Sequence, residues 1–225
     1  ITKIVLIRHA NAAPRNPEAA AVEAGTVLKP NTPFANAWTV GDLTRDLTDK
    51  GREQASAAKG WLDAHKLKGA ITSEAARAYK TKDIMAPGAS TLILHTLHPS
   101  RSGTPECEKM FDSLGYGTLN RYFADQSVVG CEGRGEEIFR GYMSKATEEL
   151  RDVLVAGMPT VDMRSKSGDT LAVFGHAVFL NAVAVAVSEA MGIENAEAQV
   201  AELELGEAQG IMCDAGAQSI SLCST

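Results

Sequence analysis

A chain of 225 residues with 44% hydrophobic and 22% charged side chains has the makeup of one globular domain able to bury a full core. Its net charge of −6 argues against nucleic acid or an anionic membrane as the main partner, and its longest apolar stretch, roughly 177–187, is too short to span a bilayer. Four scattered cysteines (Cys107, Cys131, Cys213 and Cys223) form no Cys-x-x-Cys pair, so they carry neither a zinc signature nor a dense disulfide framework. Ile1 opens the chain without a methionine, which leaves room for a leader removed upstream and leaves the compartment open.

The first predicted element is a strand, Lys3 to Ile7, in which four apolar residues run straight into Arg8 and His9. Residues 12–40 are rich in Pro, Ala and Asn without a sustained period and read as a long excursion, in which Phe34 and Trp38 could line a lid or cover the core. Thr48 to Ala64 predicts a helix capped by Thr48, with Ala55, Ala58, Trp61 and Leu62 on one face. A short strand at Ala70–Thr72 follows, then a helix at Glu74–Met85 stopped by Pro87-Gly88.

Ser90 to Leu97, β-branched and aliphatic, reads as a strand. His98 to Gly117 reads as a second excursion with a short helix at Glu106–Leu114. Gly135–Leu154 is a predicted helix, Leu171–Phe174 a central strand leading into Gly175-His176, and Val178–Met191 a helix; Val200–Leu205 and Gly210–Met212 suggest a late hairpin. Strands separated by helices imply an α/β fold, a three-layer α/β/α sandwich on a mostly parallel sheet. One domain over 1–225 is expected, with excursions near 12–42 and 98–130.

In such sheets ligands bind outside the carboxyl ends of the strands, where helix N-termini favour anions. Arg8 and His9 fall at one such end, His176 at a second and Arg77 just after a third, so two imidazoles and several guanidinium groups point to chemistry on a phosphate. Arg45 precedes the first long helix and can reach the same rim, although Asp42 and Asp46 are alternative partners for it across a surface turn. His65 and His95 read as structural. Carboxylates do not cluster with the histidines at ligand spacing, which makes a metal-dependent hydrolase a weak reading.

Arg8-His9-Ala10 resembles the Arg-His-Gly/Ala signature of the histidine phosphatase superfamily, branch 1 (phosphoglycerate mutase-like). Ser73 through Arg77-Ala78 and Thr81 is similar to its Ser-x-x-x-Arg-Ala-x-x-Thr stretch, and Phe174-Gly175-His176 to its second-histidine strand. The block from Arg45-Asp46-Leu47-Thr48 to Gly51 and Gln54-Ala55 looks most like the phosphohistidine phosphatase (SixA-like) subgroup. The resemblance implies a metal-independent phosphatase with no cofactor. It makes His9 the nucleophile, has Arg8, Arg77 and His176 grip the phosphoryl oxygens, and brings in Arg45, with Asn11 orienting the phosphate.

Many members protonate the leaving oxygen with a glutamate after the third strand; here Glu106 is the first candidate, with Glu108 and His98 behind it. The SixA-like subgroup lacks that glutamate, since phosphohistidine has a good leaving group. Phosphoglycerate mutase activity is disfavoured, because Ala10-Asn11-Ala12-Ala13-Pro14 does not match the mutases' longer motif. The implied partner is a phosphorylated small molecule or phosphoprotein, with neither nucleic acid nor membrane, and a homodimer is compatible with it. The competing reading is a non-catalytic descendant, a binding or assembly protein that keeps the phosphate pocket.

Overall fold

The computed structural model describes residues 1–14, 41–156 and 169–224. Most of the first excursion, including Phe34 and Trp38, therefore lies outside the described residues. Strand β1 (Lys3–Arg8) is followed by helix α1 (Asp49–Asp63), β2 (Lys66–Thr72), α2 (Ala76–Met85) and the short β3 (Thr91–Ile93). Helices α3 (Pro105–Leu114), α4 (Leu119–Phe123) and α5 (Gly135–Ala156) lead to β4 (Asp169–Gly175). Then come α6 (Phe179–Ala190), α7 (Ala196–Val200), β5 (Gly210–Asp214) and β6 (Ser219–Cys223).

Among the described residues the six strands form one sheet in the order β3-β2-β4-β1-β5-β6. The pairs β1–β4, β4–β2 and β2–β3 are parallel, while β5 runs antiparallel to both β1 and β6. The expected three-layer arrangement follows from the alternation of side chains along each strand. Ile4, Leu6, Ile71, Leu171 and Val173 join one core with α5 and α6. Val5, Ile7, Ala70, Ala172 and Phe174 face the other way, into a core with Ala55, Ala58 and Leu62 of α1 and Met85 of α2. No helix among the described residues is long and apolar enough to cross a membrane.

Two expected elements differ. The strand expected over Ser90–Leu97 ends at Ile93, because its partner β2 ends at Thr72; Leu94 N–H donates the last bond to Thr72 O at 2.9 Å. With no partner beyond that point, the chain folds into two 3-10 turns, His95–Leu97 and Pro99–Arg101, which carry His98 inward. The late hairpin is built from β5 and β6 rather than from Val200–Leu205. Asp214 Oδ1 accepts the N–H groups of Gly216 (2.9 Å) and Ala217 (3.1 Å), a side-chain-stabilised turn that returns the chain as β6.

Candidate active site

Parallel pairing brings the carboxyl ends of β1, β2 and β4 to one rim, and backbone bonds extend the ladder past the strands. His9 N–H donates to Gly175 O and Ser73 N–H to Phe174 O, each at 2.9 Å. His9, Ser73 and His176 are thereby fixed side by side on the sheet itself. Just after His176, Val178 holds φ at 42°, a strained left-handed geometry for a β-branched residue, at the turn into α6.

The repeated spacing Ser73…Arg77…Thr81 has a geometric purpose. Ser73 Oγ lies 2.9 Å from His176 Nε2, and Arg77 Nε–H donates to His9 Nε2 at 3.2 Å. Thr81 Oγ1 accepts Ala10 N–H at 3.0 Å and donates to Arg77 O at 2.7 Å. One loop and the first turns of α2 therefore hold both histidines and the residue after the first.

His9 is 2% exposed, and its Nδ1 lies 2.8 Å from Ala10 O. A carbonyl can only accept, so Nδ1 carries the proton and Nε2, facing Arg77, holds the lone pair. Burial holds the His9 imidazole well below its ordinary value; cationic Arg77 pushes the same way, the Ala10 hydrogen bond opposes it, and Arg8 and Arg45 push it down again. His176 accepts Arg77 Nη2–H on Nδ1 at 3.2 Å and is likewise held well below its ordinary value, first by burial and then by Arg77. The His9 and His176 ring centroids lie 5.1 Å apart, and His98 stacks edge-on to His176 at 5.0 Å.

One carboxylate sits in the middle of this cation cluster. Asp42 Oδ2 accepts from Arg77 Nη2 and from His98 Nε2, both at 2.8 Å, and Asp42 Oδ1 accepts from Arg45 Nη1 at 3.1 Å. The main-chain carbonyl of Asp42 also takes Arg77 Nη1–H. Burial would raise the Asp42 carboxyl, but the His98 hydrogen bond and the Arg77 charge overcome it and hold it far below the usual carboxylate range. His98 is fully buried, and Ser100 Oγ lies 2.8 Å from its Nδ1. Burial pulls its imidazole down against the opposing hydrogen bond to Asp42. A cavity of about 40 Å³ opens onto the cluster between Arg45, Arg77, His176 and the rings of Phe111 and Tyr116.

The remaining expected residues fall around this cluster or away from it. Arg45 reaches the cluster through Asp42, and its Nε–H donates to Ala13 O at 2.7 Å. Arg8 is buried, donates from Nη1 to Leu205 O at 2.9 Å and lies 4.0 Å over the Tyr116 ring; its Nε–H has no hydrogen-bond partner among the described residues. Asn11 points elsewhere: its Nδ2 donates to Glu207 Oε1 (2.9 Å) and its Oδ1 accepts from Thr48 Oγ1 (2.7 Å), so both ends of the amide are engaged away from the histidines.

Glu106 is not brought to the pocket either. Pro105 and Glu106 start α3 on its outer side, where the Glu106 charge acts on Arg134 and on Cys107. Glu108 borders a separate small cavity with Pro99, Ser102 and Thr104. Of the three acid candidates only His98 stands in the cluster. Among the described residues no group of three or more His, Cys, Asp or Glu is arranged to hold a metal ion.

Thr48 takes up the expected helix cap, but sequence reasoning missed that the Leu47-Thr48-x-x-Gly51-x-x-Gln54 block also grips the loop after β1. Thr48 caps α1 by accepting Gly51 N–H at 3.1 Å, and Gln54 Oε1 accepts Asn11 N–H at 2.9 Å. A Cβ on Gly51 would stand 2.0 Å from Asn11 O, so only glycine lets the β1 exit loop lie against the helix. The block clamps the segment that presents His9. Asp42 itself was read only as a surface partner of Arg45, since nothing in its local sequence signals burial.

Residues 4–98 match the model of the histidine phosphatase superfamily (branch 1), a span from β1 to His98 that stops short of His176. No curated protein matches the chain in sequence. Among solved structures, the chain is similar to phosphoserine phosphatase from Entamoeba histolytica (TM-score 0.55, 15% identity, 100% of this chain and 98% of that one). The native mycobacterial glucosyl-3-phosphoglycerate phosphatase is similar to the same degree (TM-score 0.55, 15% identity, 100% of both chains). The SixA-type protein from Agrobacterium tumefaciens superposes more loosely (TM-score 0.44, 17% identity, 98% of this chain and 94% of that one), which carries no argument for that subgroup. At these identities the likeness establishes the fold.

Proposed function

We propose that this chain, which belongs through residues 4–98 to the histidine phosphatase superfamily (branch 1), hydrolyses a phosphomonoester or a phosphorylated protein side chain through a phosphohistidine on His9, without a metal. The observation that carries this reading is the state of His9. Its Nδ1 proton is tied to Ala10 O, which leaves the lone pair on Nε2, where it accepts Arg77 Nε–H and must leave that bond to attack phosphorus. A neutral imidazole in a fixed tautomer is a competent nucleophile, and its lowered pKa keeps it neutral well below pH 6.5.

The chemistry runs in two displacements. His9 Nε2 forms a bond to phosphorus while the ester P–O bond breaks, and Arg77 with His176 holds the phosphoryl oxygens as charge moves between them. The leaving oxygen takes its proton from His98. A phosphoryl dianion beside this ring favours its protonated form, offsetting the burial that otherwise keeps it neutral. Water then gives a proton back to His98 and attacks phosphorus, the N–P bond breaks, and His9 is restored. The expected outcome is that His9→Ala abolishes turnover of a generic aryl phosphate while the circular dichroism spectrum and Tm stay near those of the native protein. Unchanged turnover in that variant would refute the assignment.

Because neither Glu106 nor Glu108 faces the pocket, a non-catalytic phosphate-binding protein is the second reading. It is distinguished by phosphate binding without turnover across a panel of phosphomonoesters and phosphohistidine peptides.

A further inference from the structure

The Arg77 guanidinium, the natural fork for two phosphoryl oxygens, already spends both of its terminal nitrogens on Asp42: Nη1 on the main-chain carbonyl and Nη2 on the carboxylate. Arg45 Nη1 and His98 Nε2 also bond it, so this one carboxylate collects donors from three separate segments while the buried Asp42 is only 4% exposed. An acidic side chain held by two guanidiniums and an imidazole, on the same Arg77 whose Nε–H reaches His9 Nε2, takes the same donors as a bound phosphoryl group. The adjoining cavity of about 40 Å³ has space for a few waters at roughly 10–15 Å³ each, and the bidentate donors that a phosphate needs are engaged.

Resting on the phosphatase reading above, we propose that Asp42 is a built-in occupant of the phosphoryl subsite, and that substrate enters by exchanging its phosphate for this carboxylate on Arg77. The two anions are not equal competitors. A tethered carboxylate has the advantage of effective concentration, in the millimolar range or above for a short tether. A phosphoryl dianion brings a second charge and three oxygens to the same cations, and so can displace it. The exchange has two consequences. Before substrate arrives, the buried cations are neutralised and hydrogen-bonded, which removes the penalty of an empty cationic cavity. When substrate is bound, Asp42 has left Arg77, so His98 Nε2 is released from the carboxylate and can turn to the leaving oxygen. Asp42 thereby sets the threshold of affinity that a ligand must reach.

The test is the binding of inorganic phosphate, by calorimetry, to the native protein and to Asp42→Asn, Asp42→Ala and Arg77→Ala. The expected result is that removing the carboxylate tightens phosphate binding roughly tenfold or more, and that Arg77→Ala weakens it. Because loss of the Asp42 carboxylate takes the shared acceptor from Arg77 Nη2 and His98 Nε2, both Asp42 variants should lose Tm. Added phosphate should raise their Tm by more than it raises the native value, a readout that survives partial instability. With an aryl phosphate, KM should fall in Asp42→Asn without an equal fall in kcat. Equal or weaker phosphate binding in the Asp42 variants, with binding still lost in Arg77→Ala, overturns the exchange while leaving the phosphate site in place. So does a fall in kcat at constant KM, which would give Asp42 a role in the chemistry instead. Absence of phosphate binding in every protein, native included, overturns both this inference and the reading it rests on.

Discussion

Two polar clusters flank the exit of β1, and the residues that enter them, His9 and Asn11, are two apart in the chain. On one side His9 joins Arg77, His176, His98, Arg45 and Asp42. On the other, Asn11 joins Thr48, Gln54 and Glu207, with Gln54 Nε2 donating to Glu207 Oε2 at 3.1 Å. Both clusters are densely hydrogen-bonded, yet they differ in sign and in burial. The first gathers cations and imidazoles around a single carboxylate in a nearly dry place. The second is half-buried and is built from neutral amides and one acidic group. Only the first offers donors that a phosphate could claim; the second braces the loop that aims His9. A dense hydrogen-bond network is therefore no sign of chemistry unless its charge is of the kind that a ligand can use.

Substitutions can sharpen that contrast. The largest effect belongs to Arg77→Lys, which keeps the charge but loses the fork; kcat/KM for an aryl phosphate should fall by about 10²–10³. A change of less than threefold there would deny Arg77 its place on the transferring group. In the second cluster Asn11→Ala removes two side-chain hydrogen bonds and should lower stability by about 1–2 kcal/mol in urea denaturation. Its kcat should stay within a few-fold of native, and a collapse of kcat at unchanged stability would merge the two clusters into one functional unit.

Acidity separates the clusters as well. His9, His176 and His98 all have pKa values lowered in the folded protein, so the unfolded chain takes up protons near pH 6.5 that the folded one refuses. Stability should therefore fall as pH drops below 6.5, by at most about 1.4 kcal/mol per pH unit for each such ring. The Asp42 carboxylate, held far below the usual range, keeps its contribution over the same interval. Tm measured from pH 7.5 to 5.5 checks this, and replacing His176 with Asn should flatten the slope. The smallest effect is expected at Glu106: on the outer turn of α3, Glu106→Gln should leave kcat, KM and Tm essentially unchanged in the same assays.

Much of this arrangement was legible in the sequence because it depends on local rules. Apolar runs ending in Arg8-His9 and Gly175-His176 had to be buried strands with polar exits, and parallel pairing then had to bring those exits together. The Ser73…Arg77…Thr81 spacing was legible as a motif, though its division of labour among His176, His9 and Ala10 needed coordinates. Asp42 as the hub of the cluster, and the contact that binds His98 to it, were illegible for a physical reason, although His98 itself stood among the acid candidates. The contacts of Asp42 with Arg77 and His98 cross sequence separations of 35 and 56 residues, between partners that no local pattern encodes. Asn11 misled because its proximity to His9 in sequence suggested proximity in function, whereas the turn after β1 sends it to the opposite side. The β6 strand was hidden because it is only five residues long, Ser219–Cys223, and half-exposed at the sheet edge.

The central claim is that His9 Nε2 accepts the phosphoryl group. Rapid quenching of the protein with an aryl phosphate, followed by peptide mapping under alkaline conditions, tests it most directly. The account predicts one acid-labile, base-stable phosphoryl group on His9, absent in His9→Ala. Turnover at a measurable rate with the phosphoryl group on another residue, or with single-step transfer to water and inversion at phosphorus, would contradict it.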